Sequence, residues 1–254
     1  MTTKTLTKLA RALIPLLALA LATTAAAQQR TALFNGKTLD GWIQRGGKAK
    51  YTIEDGAIVG TTVANTDNSF LCTTNTYGDF ILELEFKVDA RLNSGVQIRS
   101  QCFDKPTPLP GGSKDAKGKT KAPKPIPANR VHGYQVEIDP DKGDRLWVGG
   151  IYDEARRGWL YPTEKAQQDK LTAQGRRLYK PGDWNQLRVE ARGDNIKTYL
   201  NGELRTDLTD TMTPRGFIAL QVHGIGKDAT RVGIQARFRN IYITPLDKPA
   251  ADKK

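Results

Sequence analysis

The sequence predicts an all-β protein, and three observations carry that expectation. Four segments alternate apolar and polar residues, as strands do when successive side chains point to opposite faces. Glycine (24 residues) and proline (13) are frequent, as many short strands joined by turns require. A length of 254 residues with 38% hydrophobic content is enough for one large β domain with a core.

Taken in order, residues 1–27 read as a secretion signal rather than as part of the fold. Lys4, Lys8 and Arg11 make a basic start, residues 13–22 are apolar, and Ala25, Ala26 and Ala27 suit a cleavage site. The apolar run is short for a membrane span and holds Pro15, so no transmembrane segment is expected. A periplasmic or secreted protein follows. Residues 28–246 are expected to form a single domain and 247–254 a polar tail.

Within that domain, Asn35-Gly36 and Asp40-Gly41 mark turns, and Phe34, Leu39 and Trp42 are core anchors. Residues 51–60 form a hairpin about Asp55-Gly56. Residues 69–73 form a short strand, and residues 77–79 turn into the strand at 81–87. Residues 104–130 hold six prolines and a run of lysines without periodicity, which predicts a long flexible insertion. It reads either as a lid or, for most of its length, as a disordered insertion, with 129–132 ordered. Residues 146–152 read as a strand broken by Gly149 and Gly150, and 153–161 as a loop. Residues 163–174 suit a short surface helix. Residues 186–192 and 195–200 are strands, the latter ending in the Asn201-Gly202 hairpin turn. Residues 216–223 and 232–244 complete the strands.

The alternating segments define a candidate site. In the central stretch, 133–140, Tyr134, Val136 and Ile138 oppose Gln135, Glu137 and Asp139. A face of amides and carboxylates suits a polyol better than bulk solvent. Leu82, Leu84 and Phe86 oppose Glu83 and Glu85; Val96 and Ile98 oppose Gln97 and Arg99; Ile218, Leu220 and Val222 oppose Gln221 and His223. If these strands are neighbours, one sheet face collects all the polar members.

The formal charge is +12; without the three basic residues of the signal it is 36 basic against 27 acidic, or +9. The lysines sit mostly in loops and at the C-terminus, and no aromatic-plus-basic motif of single-strand binders is present, so no nucleic-acid partner is expected. In an exported protein Cys72 and Cys102 form one disulfide or stay free; the sequence leaves both open. No CxxC or His/Cys cluster suggests zinc.

A family resemblance emerges from several blocks in order. They are Leu33-Phe34-Asn35-Gly36-Lys37-Thr38-Leu39-Asp40-Gly41-Trp42, Tyr77-Gly78-Asp79-Phe80, Asn93-Ser94-Gly95-Val96-Gln97-Ile98-Arg99-Ser100 and Gly133-Tyr134-Gln135-Val136-Glu137-Ile138-Asp139. Tyr152-Asp153-Glu154, Trp184-Asn185, Asn201-Gly202, Leu220-Gln221-Val222-His223 and Phe238-Arg239-Asn240-Ile241 continue the series. Together they resemble the 3-keto-disaccharide hydrolase domain family from residue 33 to about 243. The resemblance implies a concanavalin A-like jelly-roll sandwich of two antiparallel sheets, and an exported bacterial protein that cleaves 3-keto glycosides.

The chemistry of such a substrate assigns roles. The C3 carbonyl acidifies the C2 proton, so a base, an enolate stabiliser and sugar anchors are needed. Glu137 is the first candidate base, and His223 is a second base or a proton donor, or else a structural strand-end hydrogen-bonder. Arg99 is the candidate enolate stabiliser. A divalent cation held by Glu137, Asp139 and His223 is the alternative electrophile, though no spacing demonstrates a metal site. Gln97, Gln135, Gln221, Asn185 and Asp139 are sugar anchors. Tyr152, Asp153, Glu154, Arg156 and Trp159 offer a ring platform beside charged groups, with Trp159 otherwise a cover for the sandwich end. Glu85 with Glu137 forms a two-carboxylate alternative. A lectin-like module that binds carbohydrate without catalysis is the competing class. The oligomeric state is not legible.

Overall fold

The computed structural model describes residues 29–109, 113–114, 120–121, 125–140 and 145–246. The expected signal, the C-terminal tail and part of the 104–130 insertion lie outside the described residues.

In chain order the strands are β1 (Thr31–Ala32), β2 (Trp42–Gly46), β3 (Lys50–Glu54), β4 (Ala57–Thr61), β5 (Ser69–Thr73), β6 (Phe80–Val88), β7 (Ser94–Gln101), β8 (Ser113–Lys114) and β9 (Thr120–Lys121). They continue as β10 (His132–Ile138), β11 (Ile151–Glu154), β12 (Gly158–Tyr161), β13 (Asn185–Arg192), β14 (Asn195–Leu200), β15 (Glu203–Thr209), β16 (Phe217–Val222) and β17 (Gln235–Pro245). Among the described residues the one α-helix is α1 (Lys165–Leu178), between β12 and β13.

Two antiparallel sheets face each other. One runs β15-β14-β13-β6-β17-β4-β3, with β1 on β17, and the other runs β12-β11-β10-β7-β16-β5-β2. Alternation drives the packing. Phe80, Leu82, Leu84, Phe86 and Val88 of β6 and Tyr134, Val136 and Ile138 of β10 are buried in one shared core. This is the β-sandwich that the resemblance implied, its inner faces apolar and its outer faces polar.

The details depart from expectation in two places. Residues 145–150 are not a strand; instead β11 and β12 pair as a hairpin and carry Trp159 into the sheet rather than leaving it on a loop. The helix extends to Leu178, four residues past the expected end, because Leu171, Gly175 and Leu178 are buried. Arg205 ties this corner together. It is 2% exposed and donates to the carbonyls of Leu146, Val148 and Leu171. Trp147 adds a hydrogen bond from Nε1 to Thr172 Oγ1 (3.0 Å). The segment carrying Arg145 is thereby held against the edge of the second sheet. The two ends of the long insertion also pair, Thr107 and Ile126 exchanging backbone hydrogen bonds of 2.9 and 2.8 Å.

Candidate functional site

The outer face of the second sheet carries a hollow of ≈ 300 Å³. β10 supplies its floor, with Gln135 and Glu137 facing outward because their neighbours face the core. Gly95 on β7 lies opposite Glu137. A Cβ there would stand 2.6 Å from the Gln135 side chain, so glycine is what lets Gln135 lie across β7.

Glu137 is 4% exposed, and each of its oxygens receives an amide hydrogen bond. Asn93 Nδ2 donates to Oε1 at 2.5 Å and Gln135 Nε2 to Oε2 at 2.8 Å. Burial, and secondarily the charge of Asp139, push its pKa up to about 7; the two amides and Arg145 pull the other way without prevailing. Asp139 is fully buried and accepts from Arg145 Nε at 2.8 Å. The Arg145 guanidinium in turn lies 4.5 Å from the Trp147 ring centroid and 5.2 Å from that of Trp159. Trp159 and Tyr152, their centroids 5.5 Å apart, form an aromatic wall.

Across the hollow, Glu154 is 5% exposed and pairs with Arg130 at 2.6 Å. Burial raises its pKa against the pull of Arg130, His223 and Asn68. His223 Nδ1 lies 2.8 Å from the Gly224 carbonyl, an acceptor only, so Nδ1 carries a proton and donates it there. A directed chain supports the floor: Ser100 Oγ donates to Gln97 Oε1 (2.7 Å), Gln97 Nε2 to Gln135 Oε1 (2.7 Å), and Gln135 to Glu137.

Of the residues singled out from sequence, Gln135, Glu137, Tyr152, Glu154, Trp159 and His223 line this hollow. Asp139 and Gln97 sit behind them. Gln221 is on the same face but fully buried, and neither polar atom of its amide has a partner.

Five expectations are corrected by the structure. Glu85 lies on β6 of the other sheet and pairs with Arg239 (2.6 Å), so the core separates it from Glu137 and the two-carboxylate pair is not assembled. Arg99 misses the site because β7 bulges there: the register with β10 shifts between Tyr134 and His132, and Arg99 has φ +45°. Its guanidinium, 1% exposed, instead donates to the Gly78 and Gly193 carbonyls and pairs with Asp79 at 2.9 Å. Asn185 braces turns in the first sheet, donating to Lys180 and Asp183 carbonyls and accepting from Lys180 N–H. Asp153 lies in register with Tyr134 and so points to the core side. It pairs there with Arg156 and Arg157, and Arg156 stacks over the Tyr134 ring at 5.2 Å.

Asn68, Asn93, Arg130 and Arg145 line the hollow and were not singled out. Asn93 opens a block that carried the family resemblance, and Arg130 falls in the stretch expected to be ordered. Nothing local marks Asn68 or Arg145. Cys72 and Cys102 are both free thiols, the first buried and the second half-buried. Among the described residues no three His, Cys, Asp or Glu side chains form a metal-holding group, so Glu137, Asp139 and His223 do not assemble as a ligand set.

The sequence matches the model of the 3-keto-alpha-glucoside-1,2-lyase-like domain over residues 29–244. No match is found among curated proteins. Among solved structures, a Bacillus subtilis protein with a galectin-like fold superposes with a TM-score of 0.53 at 10% identity, covering 85% of this chain and 94% of that one. A Parabacteroides distasonis protein provisionally named a glycosyl hydrolase gives 0.49 at 19% identity, over 86% and 94%. The carbohydrate-binding module CBM66 of Bacillus subtilis gives 0.48 at 19% identity, over 80% and 95%.

Proposed function

The chain belongs to the 3-keto-alpha-glucoside-1,2-lyase-like domain family, a carbohydrate-related family, and from that premise we propose that it is an exported enzyme cleaving 3-keto glycosides by base-assisted elimination followed by hydration. The observation that carries the reading is Glu137: a carboxylate on the floor of a sugar-sized hollow, its proton affinity raised by burial toward neutral pH.

In this reading Glu137 takes the C2 proton of the bound keto sugar, and the electron pair moves to the C3 oxygen. Arg145, rather than Arg99, is the cation that meets the developing enolate, held in place by Asp139 and the two tryptophans. As the C3 carbonyl re-forms, the C1–C2 double bond forms and the C1–oxygen bond breaks. His223, entering this step as the imidazolium with a proton on each ring nitrogen, keeps Nδ1–H on the Gly224 carbonyl and gives its Nε2 proton to the departing oxygen. Water then adds to C1 of the enone and returns a 3-keto sugar. Trp159 and Tyr152 give the ring its apolar platform, and Asn68, Asn93 and Gln135 supply hydroxyl partners. Export rests on the basic and apolar pattern of residues 1–27, and fractionation of producing cells checks it.

A second reading has its own support. Both Glu137 oxygens already accept an amide hydrogen bond, which is also how a carboxylate is fixed to receive hydroxyls in a binding site without turnover. One experiment separates the two. Glu137→Gln is expected to lower kcat on a 3-keto disaccharide about 10²–10⁴-fold while retaining affinity. Wild-type protein that binds the sugar and never turns it over leaves the binding module instead.

A further inference from the structure

A second and larger hollow, ≈ 610 Å³, opens on the same outer face beside β2, β5, β7 and β16. Its chemistry is the opposite of the first. Of the four large hydrophobic side chains left exposed among the described residues, two, Ile43 and Phe103, stand on it, and Phe217 completes an apolar floor. Among the described residues no carboxylate lines it, whereas Arg45 and Arg215 do. Arg45 Nε is buried without a hydrogen-bond partner, and its Nη1 reaches only as far as the Cys102 sulfur at 3.9 Å, a weak acceptor. A partly desolvated guanidinium with no anion beside it among the described residues is a cost that a bound carboxylate would offset.

The two hollows share one sheet face and are linked through its strands. The residue row Gln135, Gln97, Ala219, Cys72, Ile43 runs in register across five strands from one to the other. Ser100, which lines the apolar hollow, begins the hydrogen-bond chain that ends on Glu137.

We propose that this hollow is an aglycone subsite for an aromatic carboxylate, the ring on Ile43, Phe103 and Phe217 and the anion on Arg45. The ligand class follows from the hollow itself; its attachment to a sugar rests on the keto-glycoside reading above. The same chemistry could arrive as the free acid, so the test has two arms.

In the first arm, 4-hydroxybenzoate and its methyl ester are titrated calorimetrically into wild-type protein and Arg45→Gln. Wild type is expected to prefer the acid by about tenfold, the worth of one charge-assisted hydrogen bond, and Arg45→Gln to lose the preference. Ile43→Ser is expected to weaken both ligands. Absence of binding, or acid binding that Arg45→Gln leaves unchanged, overturns the proposal. In the second arm, the 4-carboxyphenyl and methyl 3-keto-glucosides are compared. Arg45→Gln is expected to raise KM about tenfold for the first and leave the second unchanged, again the loss of one charged contact. Equal effects on both, with acid binding as expected, mean that the hollow takes the free acid and overturn the aglycone assignment. If neither glycoside turns over, the cleavage reading fails, while titration of the same two glycosides still decides the subsite by the same preference.

Discussion

Glu137 combines properties rarely found in one carboxylate: near-complete burial, two amide donors, a neighbouring aspartate, and a pKa of about 7 against an ordinary 4.5. The direction of the shift fixes two pH dependences. As a base it works only when deprotonated, so kcat/KM is expected to rise tenfold per pH unit below about 7 and level off above it; a profile from pH 5 to 9 reads this. For stability the sign is reversed in sense. The folded state holds its proton more tightly than the unfolded chain, so the contribution is fully present below about 4.5 and is lost as pH rises through 7. Glu137→Gln, which carries no charge to bury, is expected to flatten that decline, on the order of a few kcal/mol, in urea unfolding at pH 5 and pH 8. An equally steep decline in the variant would remove Glu137 as its source. The residue itself was legible in sequence, since it stands at the centre of an alternating strand. Its proton affinity was not, because burial raises it first and Asp139, two residues on, only second, and that burial is set by segments far along the chain, whose Asn93 and Arg145 pull the other way.

At the scale of the element, the bulge in β7 decides which polar side chains share the hollow. Strict alternation puts Gln97 and Arg99 on one face, yet one extra residue against β10 turns Arg99 away toward Asp79 and hands Ser100 to the Gln97 chain. Gly133 makes the bulge possible. It has φ +136°, and a Cβ there would lie 2.5 Å from Ser100 Oγ and 2.8 Å from Ser100 Cα. Gly133→Ala is therefore expected to destabilise the protein by about 1–3 kcal/mol, measured by urea unfolding, and to lower turnover by disturbing the chain to Glu137. Unchanged midpoint and activity would show the bulge to be tolerant. The hairpins at Asp55-Gly56 and Asn201-Gly202 were readable because their turns are two residues long and carry their own signal. The bulge was not readable, because its cause is a register between strands more than thirty residues apart.

For the molecule as a whole, two outer faces are separated by one core, and everything assigned to the site lies on one of them. Phe86, fully buried in that core on the sheet opposite the hollow, tests how far the scaffold supports the site. Phe86→Ala is expected to cost about 3–5 kcal/mol in unfolding free energy. At temperatures where the variant remains folded, its KM should match wild type; a change in KM with folding intact would mean that the core also shapes the hollow. Glu85 illustrates the limit of reading from sequence. Its strand alternates as cleanly as that of Glu137, and its polar face does turn outward, but from the other sheet.

By itself the sequence determined which side of each strand is apolar, where the tight turns fall and which family the blocks belong to, because these are properties of residues close together along the chain. Only the tertiary structure decided which strands are neighbours. That choice brings Glu137, His223, Arg145 and Glu154 around one hollow and sends Glu85, Arg99 and Asn185 elsewhere. The physical reason is that a period of two labels the faces of a strand, whereas its place in a sandwich is set by hydrogen bonding and packing with strands that the local pattern does not name.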